Sequence, residues 1–173
     1  MLFRSTRAVY YRRSTDGGKT WESRKRLFAE PTINVDPLQK HMAVDGNIVH
    51  IAVANSHSTP GWYFAVTYLR SGDGGSTFDA PLTLYSVDTK DQVSSVHVVS
   101  DQGKATIGLH SWCNYCVDNA YVLMNTLDGG KTFKRVAAYS TTSGRGWSMF
   151  DLKRSGDNLY VLYTDSDWLH LYM

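Results

Sequence analysis

The sequence predicts an all-β chain built as a β-propeller segment of about three four-stranded antiparallel blades, an incomplete ring whose parent would have six. Three observations predict it. The frame hydroxyl, x, Asp, Gly, Gly, x, Thr, aromatic occurs three times, with its aspartates at 16, 73 and 128, a period of about 56 residues. Turn signals at Asp45-Gly46-Asn47, Asp101-Gln102-Gly103 and Gly156-Asp157-Asn158 keep the same period of about 56 residues between aspartates. The aromatic share is 13%, side chains that favour pleated, half-buried surfaces, and no helical periodicity lies between the markers. A stacked sandwich is the other architecture these signals allow.

The elements follow in chain order. Residues 1–30 hold the end of a first blade: an apolar run at 8–11, then the turn at 14–21. In 31–88 a complete blade is expected, with strand A at 42–44, strand B at 48–54, strand C at 63–69 and strand D at 80–85. The segment 89–141 repeats it, with runs at 96–100, 105–111, 121–124 and 135–139. A fourth blade starts in 142–173, and the period would place its Asp-Gly-Gly turn near about position 184, outside the chain. The A–B and C–D turns then share one face. The B–C loops at 55–62, 112–119 and 164–168, and the D–A crossovers at 29–38, 86–94 and 140–147, share the other.

Each Asp-Gly-Gly turn has a structural purpose. Asp16, Asp73 and Asp128 can accept from backbone N–H groups a few residues on. Gly18, Gly75 and Gly130 can take positive φ without a Cβ clash. Ser14, Ser71 and Thr126 before the turn, and Thr20, Thr77 and Thr132 after it, can bond across it. Trp21, Phe78 and Phe133 can then fold beneath it onto the sheet. A calcium loop would need acidic ligands at alternate positions, and these are missing, so neither metal nor cofactor is expected.

Ser-x-Asp-x-Gly-x-Thr-Trp/Phe resembles the Asp-box, or bacterial neuraminidase repeat, of the sialidase-like β-propeller superfamily, and the match covers nearly the whole chain. The resemblance implies a carbohydrate-directed propeller, and such boxes also occur in other glycosidases, sorting receptors and assembly factors. Sialidases use a Tyr nucleophile assisted by Glu, an Asp acid/base and three Arg that hold the substrate carboxylate. This chain departs from that set. It enters its first blade at strand C, so the family's first Arg and its Asp fall upstream. Its only glutamates are Glu22 and Glu30, neither in the expected blade, and Asp91 is the nearest acidic candidate there. His110 occupies the place of a substrate-binding Arg at the end of a B strand. No catalytic residue is therefore assigned.

The candidate ligand face is the one opposite the boxes. It receives His57 and Trp62, Trp112 and Tyr115, and Asp165 and Trp168 from the B–C loops, Asp91, Arg145 and Trp147 from the crossovers, and His110 from its strand end. Flat aromatics suit sugar rings, while carboxylates and Arg suit hydroxyl or carboxylate groups. The bland alternative is that the tryptophans seal gaps between blades. Three readings follow: a glycan-binding scaffold without a full catalytic set, an internal piece of an active exo-sialidase completed by sequence elsewhere, or a protein-interaction or assembly propeller with tryptophan hot spots.

Cys113 and Cys116 lie in a predicted B–C loop. A small loop disulfide is the first reading, followed by free thiols and by a metal site with His110. A net charge of +2 gives no field that points to nucleic acid, and the basic stretch Arg24-Lys25-Arg26 beside Arg12 and Arg13 reads as a solvated strand face. No apolar run could span a bilayer, and the first residues lack the middle of a signal peptide. The protein is thus cytoplasmic or exported by a signal outside the chain; the resemblance favours an extracellular or periplasmic setting. Since about four to eight blades close a ring, either the rest of a longer propeller or a second copy is expected to complete this one.

Overall fold

The computed structural model describes residues 8–28, 33–34, 40–57, 63–87, 91–113, 119–141 and 150–163. Every regular element among them is a strand. In order these are β1 (Val9–Tyr11), β2 (Lys25–Phe28), β3 (Ile33–Asn34), β4 (Lys40–Asp45), β5 (Ile48–His57), β6 (Tyr63–Ser71) and β7 (Leu82–Val87). They continue as β8 (Asp91–Asp101), β9 (Lys104–Cys113), β10 (Asn119–Thr126), β11 (Lys134–Thr141), β12 (Phe150–Ser155) and β13 (Asn158–Tyr163). Among the described residues no helix is long and apolar enough to cross a membrane.

All the ladders are antiparallel and they form four sheets. The first pairs β1 with β2. The second runs β4-β5-β6-β7, with the two-residue β3 lying along the far end of β5 where β4 has ended. The third runs β8-β9-β10-β11, and its first strand is continuous, with a bulge between Val93 and Ser95. The fourth pairs β12 with β13. Two four-stranded units are thus flanked by two two-stranded hairpins.

Side-chain alternation explains how the sheets pack. On β5, Val49, Ile51 and Val53 point to the first sheet and cluster with Val9 of β1 and Leu69 of β6. The intervening Ala52 and Ala54 point the other way, where with Val66 and Tyr68 they meet Val93, Val96, Val98, Ile107, Leu109 and Val122 of the third sheet. On β10, Val122 faces the second sheet while Tyr121 and Leu123 face Leu152 of the fourth. A strand buried on both faces reads as a continuous apolar run, which is why Ile48-Val-His-Ile-Ala-Val-Ala carries little alternation.

Polar links also cross between sheets at the A–B type turns. The Asp45 carboxylate accepts from Gly103 N–H and the Asp101 carboxylate from Gly156 N–H, each bond reaching from one sheet to the next. Replacing Asp45 with Ala leaves the Gly103 N–H without this acceptor, and a loss of about 1 kcal/mol in urea denaturation is expected. Between the same strands His41 Nδ1 accepts from Val98 N–H at 3.0 Å, and the His41 and His97 rings lie 5.1 Å apart.

Several sequence expectations need correcting. The second turn marker slips in its last copy: Asp45 pairs across its turn with Ile48 and Asp101 with Lys104, but the equivalent pair is Ser155 with Asn158. Asp157 is therefore two positions out of phase and instead pairs with Lys104. The strands also run further than the apolar runs that announced them. β5 extends through His57, β9 through Trp112 and Cys113, and β8 begins at Asp91, so these residues are strand ends and not loop residues. Ladder hydrogen bonds carry the extra length, which hydrophobicity does not report.

Candidate functional site

The three boxes share one hydrogen-bond pattern. In the first, Ser14 Oγ accepts from Gly18 N–H (2.8 Å) and donates to Asp16 Oδ1 (2.7 Å), while Asp16 accepts from Thr20 N–H (2.9 Å) and Thr20 Oγ1 (2.6 Å). Ser71, Asp73, Gly75 and Thr77 repeat it, as do Thr126, Asp128, Gly130 and Thr132. Both glycines of each box have positive φ, with 89° at Gly18, 86° at Gly75 and 91° at Gly130. The hydroxyl of Thr20, its N–H and the hydroxyl of Ser14 hold the Asp16 carboxyl down at about 2; the Thr77 hydroxyl holds Asp73 lower still, as the Thr126 and then the Thr132 hydroxyl hold Asp128. These carboxylates are committed to closing turns.

Two of the three box aromatics meet a tyrosine of the preceding sheet. Phe78 packs edge-to-face on Tyr11, centroids 5.1 Å apart, and Phe133 on Tyr68 at 4.8 Å. Trp21 departs from the expectation that it folds beneath its turn: no tyrosine covers it among the described residues, and it is 55% exposed. Alongside each tyrosine an arginine two residues on reaches the same box. Arg13 Nη1 donates to Gly74 O (2.7 Å) and Ser76 Oγ (3.0 Å), and Arg70 Nε donates to Gly129 O (2.5 Å). An acid six residues after the box aspartate holds each arginine: Glu22 on Arg13 and Asp79 on Arg70. Behind the second contact, the Tyr68 hydroxyl and His50 Nδ1 share a 2.7 Å hydrogen bond on a fully buried histidine.

Sequence reasoning missed this clasp of Tyr, Arg and acid. Its signal is nonetheless present. Extending the repeat frame upstream aligns Tyr11-x-Arg13-Ser14 with Tyr68-x-Arg70-Ser71, and extending it downstream aligns Glu22 with Asp79.

The boxes and the A–B type turns share one end of the sheets. Gly74 N–H donates to Asn47 O (2.7 Å) and Gly129 N–H to Gly103 O (3.1 Å). The strand ends carrying His57, Asp91 and Trp112 therefore lie at the other end, in the neighbouring second and third sheets. His57 pairs with Tyr63, and Asp91 pairs with Cys113 beside the Gln92–Trp112 pair. His110 is on β9 but is buried at 2% exposure, its ring stacked 4.7 Å from that of Tyr121, and burial lowers its pKa. Trp62, Tyr115, Cys116, Arg145, Trp147, Asp165 and Trp168 lie outside the described residues. Among the described residues no group of three or more His, Cys, Asp or Glu is arranged to hold a metal ion. Comparison with family models and with curated proteins finds no match for the chain.

Proposed function

We propose that the chain is a segment of a sialidase-like Asp-box propeller that serves as a carbohydrate-directed scaffold, with the end opposite the boxes as its binding face and no hydrolytic centre of its own. The observation that carries this reading is the division of labour between the two ends. The boxes spend their carboxylates on turn closure, while the strand ends bearing His57, Asp91 and Trp112 lie at the opposite end of their sheets. The buried His110 supports the non-hydrolytic form, because a neutral imidazole stacked on Tyr121 is no substitute for a guanidinium facing a substrate carboxylate.

A glycan array that includes acidic and neutral sugars tests the proposal. Retention on a subset of sugars is expected, falling at least about tenfold for Trp112→Ala, as for loss of one aromatic anchor, and unchanged for Trp21→Ala at the box end. Binding to no sugar, or equal loss with both variants, contradicts the reading.

A further inference from the structure

The first box is a copy of a surface that is occupied in the other two. On the second and third boxes a tyrosine hydroxyl lies where a Cβ on Gly75 or Gly130 would sit, and an arginine donates to the carbonyl of the glycine before it. On the first box nothing among the described residues lies within 4 Å of the Cβ positions of Gly17 or Gly18, and Trp21 is exposed where Phe78 and Phe133 are partly covered.

The sequence holds no third clasp of the same Tyr, Arg and acid pattern. At the places of Tyr68, Arg70 and Asp79, the third repeat has Leu123, Asn125 and Lys134, so all three members are lost together. Tyr-x-Arg occurs elsewhere only as Tyr10-x-Arg12. There Tyr10 lies under the Arg24 guanidinium at 4.7 Å, and Arg12 donates to Glu22 O. A second copy whose third repeat took the clasp's place would set Leu123 and Asn125 at the positions of Tyr68 and Arg70, a mismatch in both shape and hydrogen bonding.

We propose that the first box, at Gly17, Gly18 and Trp21, is a docking site for a β-hairpin contributed by a polypeptide other than residues 1–173, one that presents Tyr-x-Arg on one strand and an acid on the return strand. The tyrosine ring packs on Trp21 with its hydroxyl over Gly18, and the guanidinium donates to the Gly17 carbonyl while the hairpin's own acid holds it. The Lys19 position matches Lys131 of the third box, so the Arg70 contact, through Nε to a single carbonyl, is the closer template. The inference uses only the contacts between sheets and stands whether or not the opposite end binds sugar.

The test extends the full chain at its N-terminus, through a flexible Gly/Ser linker, by a copy of residues 31–87, which carries Tyr68, Arg70 and Asp79. A control fusion carries Tyr68→Leu and Arg70→Asn in the added copy alone, residues that the third repeat tolerates at the equivalent positions. Hydrogen exchange at the amides of residues 18–21 is expected to slow at least about tenfold in the first fusion relative to the second. Equal exchange in the two fusions overturns the proposal. So does an added copy that fails to seat against the chain with its clasp residues intact, because the clasp is what is held to seat it.

Discussion

Gly130→Ala is expected to lower stability by about 2–5 kcal/mol, whereas Gly18→Ala, at nearly the same backbone angle, costs about 1–2 kcal/mol. The two positions differ in what an added methyl meets. φ is 91° at Gly130 and 89° at Gly18, so the left-handed strain for an L-residue is shared. At Gly130 the new Cβ would also collide with the Tyr68 hydroxyl, which is fixed by His50 behind it, while at Gly18 it enters open space. Urea denaturation of the two variants measures the difference directly. Tyr68→Phe removes the colliding oxygen, so in the double variant the Gly130→Ala penalty should shrink by about 1–2 kcal/mol, a coupling that additive effects would not produce. Equal costs at Gly18 and Gly130 would mean that the clasp contributes no close packing.

Stability is expected to fall as pH drops from about 6.5 to 4, beginning well above the range in which ordinary carboxylates protonate, by about 3 kcal/mol from His50 alone. Burial, and next the nearby Arg70 charge, push His50 down to about 4. A basic group whose pKa is lowered on folding contributes fully above its unfolded pKa, and that contribution is lost as pH falls towards the folded one. Burial also lowers His110, and burial with the neighbouring His41 lowers His97, so both add to the slope in the same direction. Each histidine contributes up to about 1.4 kcal/mol per pH unit. The boxes act lower: Asp16, held at about 2, keeps its contribution above the ordinary carboxylate range and loses it only as pH falls from about 4 towards 2. Urea midpoints at a series of pH values from 8 to 3 test this. His50→Gln should flatten the upper part of the profile, and a wild-type profile flat from pH 7 to 4.5 would contradict the account.

The repeat frame made the strands and their turns legible because its residues act locally. A serine hydroxyl, a carboxylate and two glycines within one short turn need only their own neighbours, and the same pattern returns at each copy. What joins the sheets was harder to see. Tyr68 touches Gly130 and Arg70 touches Gly129, about 60 residues on, and in a single sequence such a pair shows only as a repeated Tyr-x-Arg that looks like ordinary strand polarity. Trp21 misled for the same reason: an aromatic in the box frame reads as buried, yet its burial depends on a tyrosine from another sheet. His110 was legible as a departure from the enzyme pattern, but its burial against Tyr121 follows from pairing across β9 and β10.

The direct measurement of the functional claim is a titration of the full chain with sialyllactose and with neutral lactose, followed by amide NMR. Saturable shifts are predicted at the strand ends around residues 55–63, 91–93 and 110–120, with the box amides at 14–21, 71–78 and 126–133 unmoved. Shifts centred on the boxes, or none with either sugar, would contradict a carbohydrate face at the end opposite them.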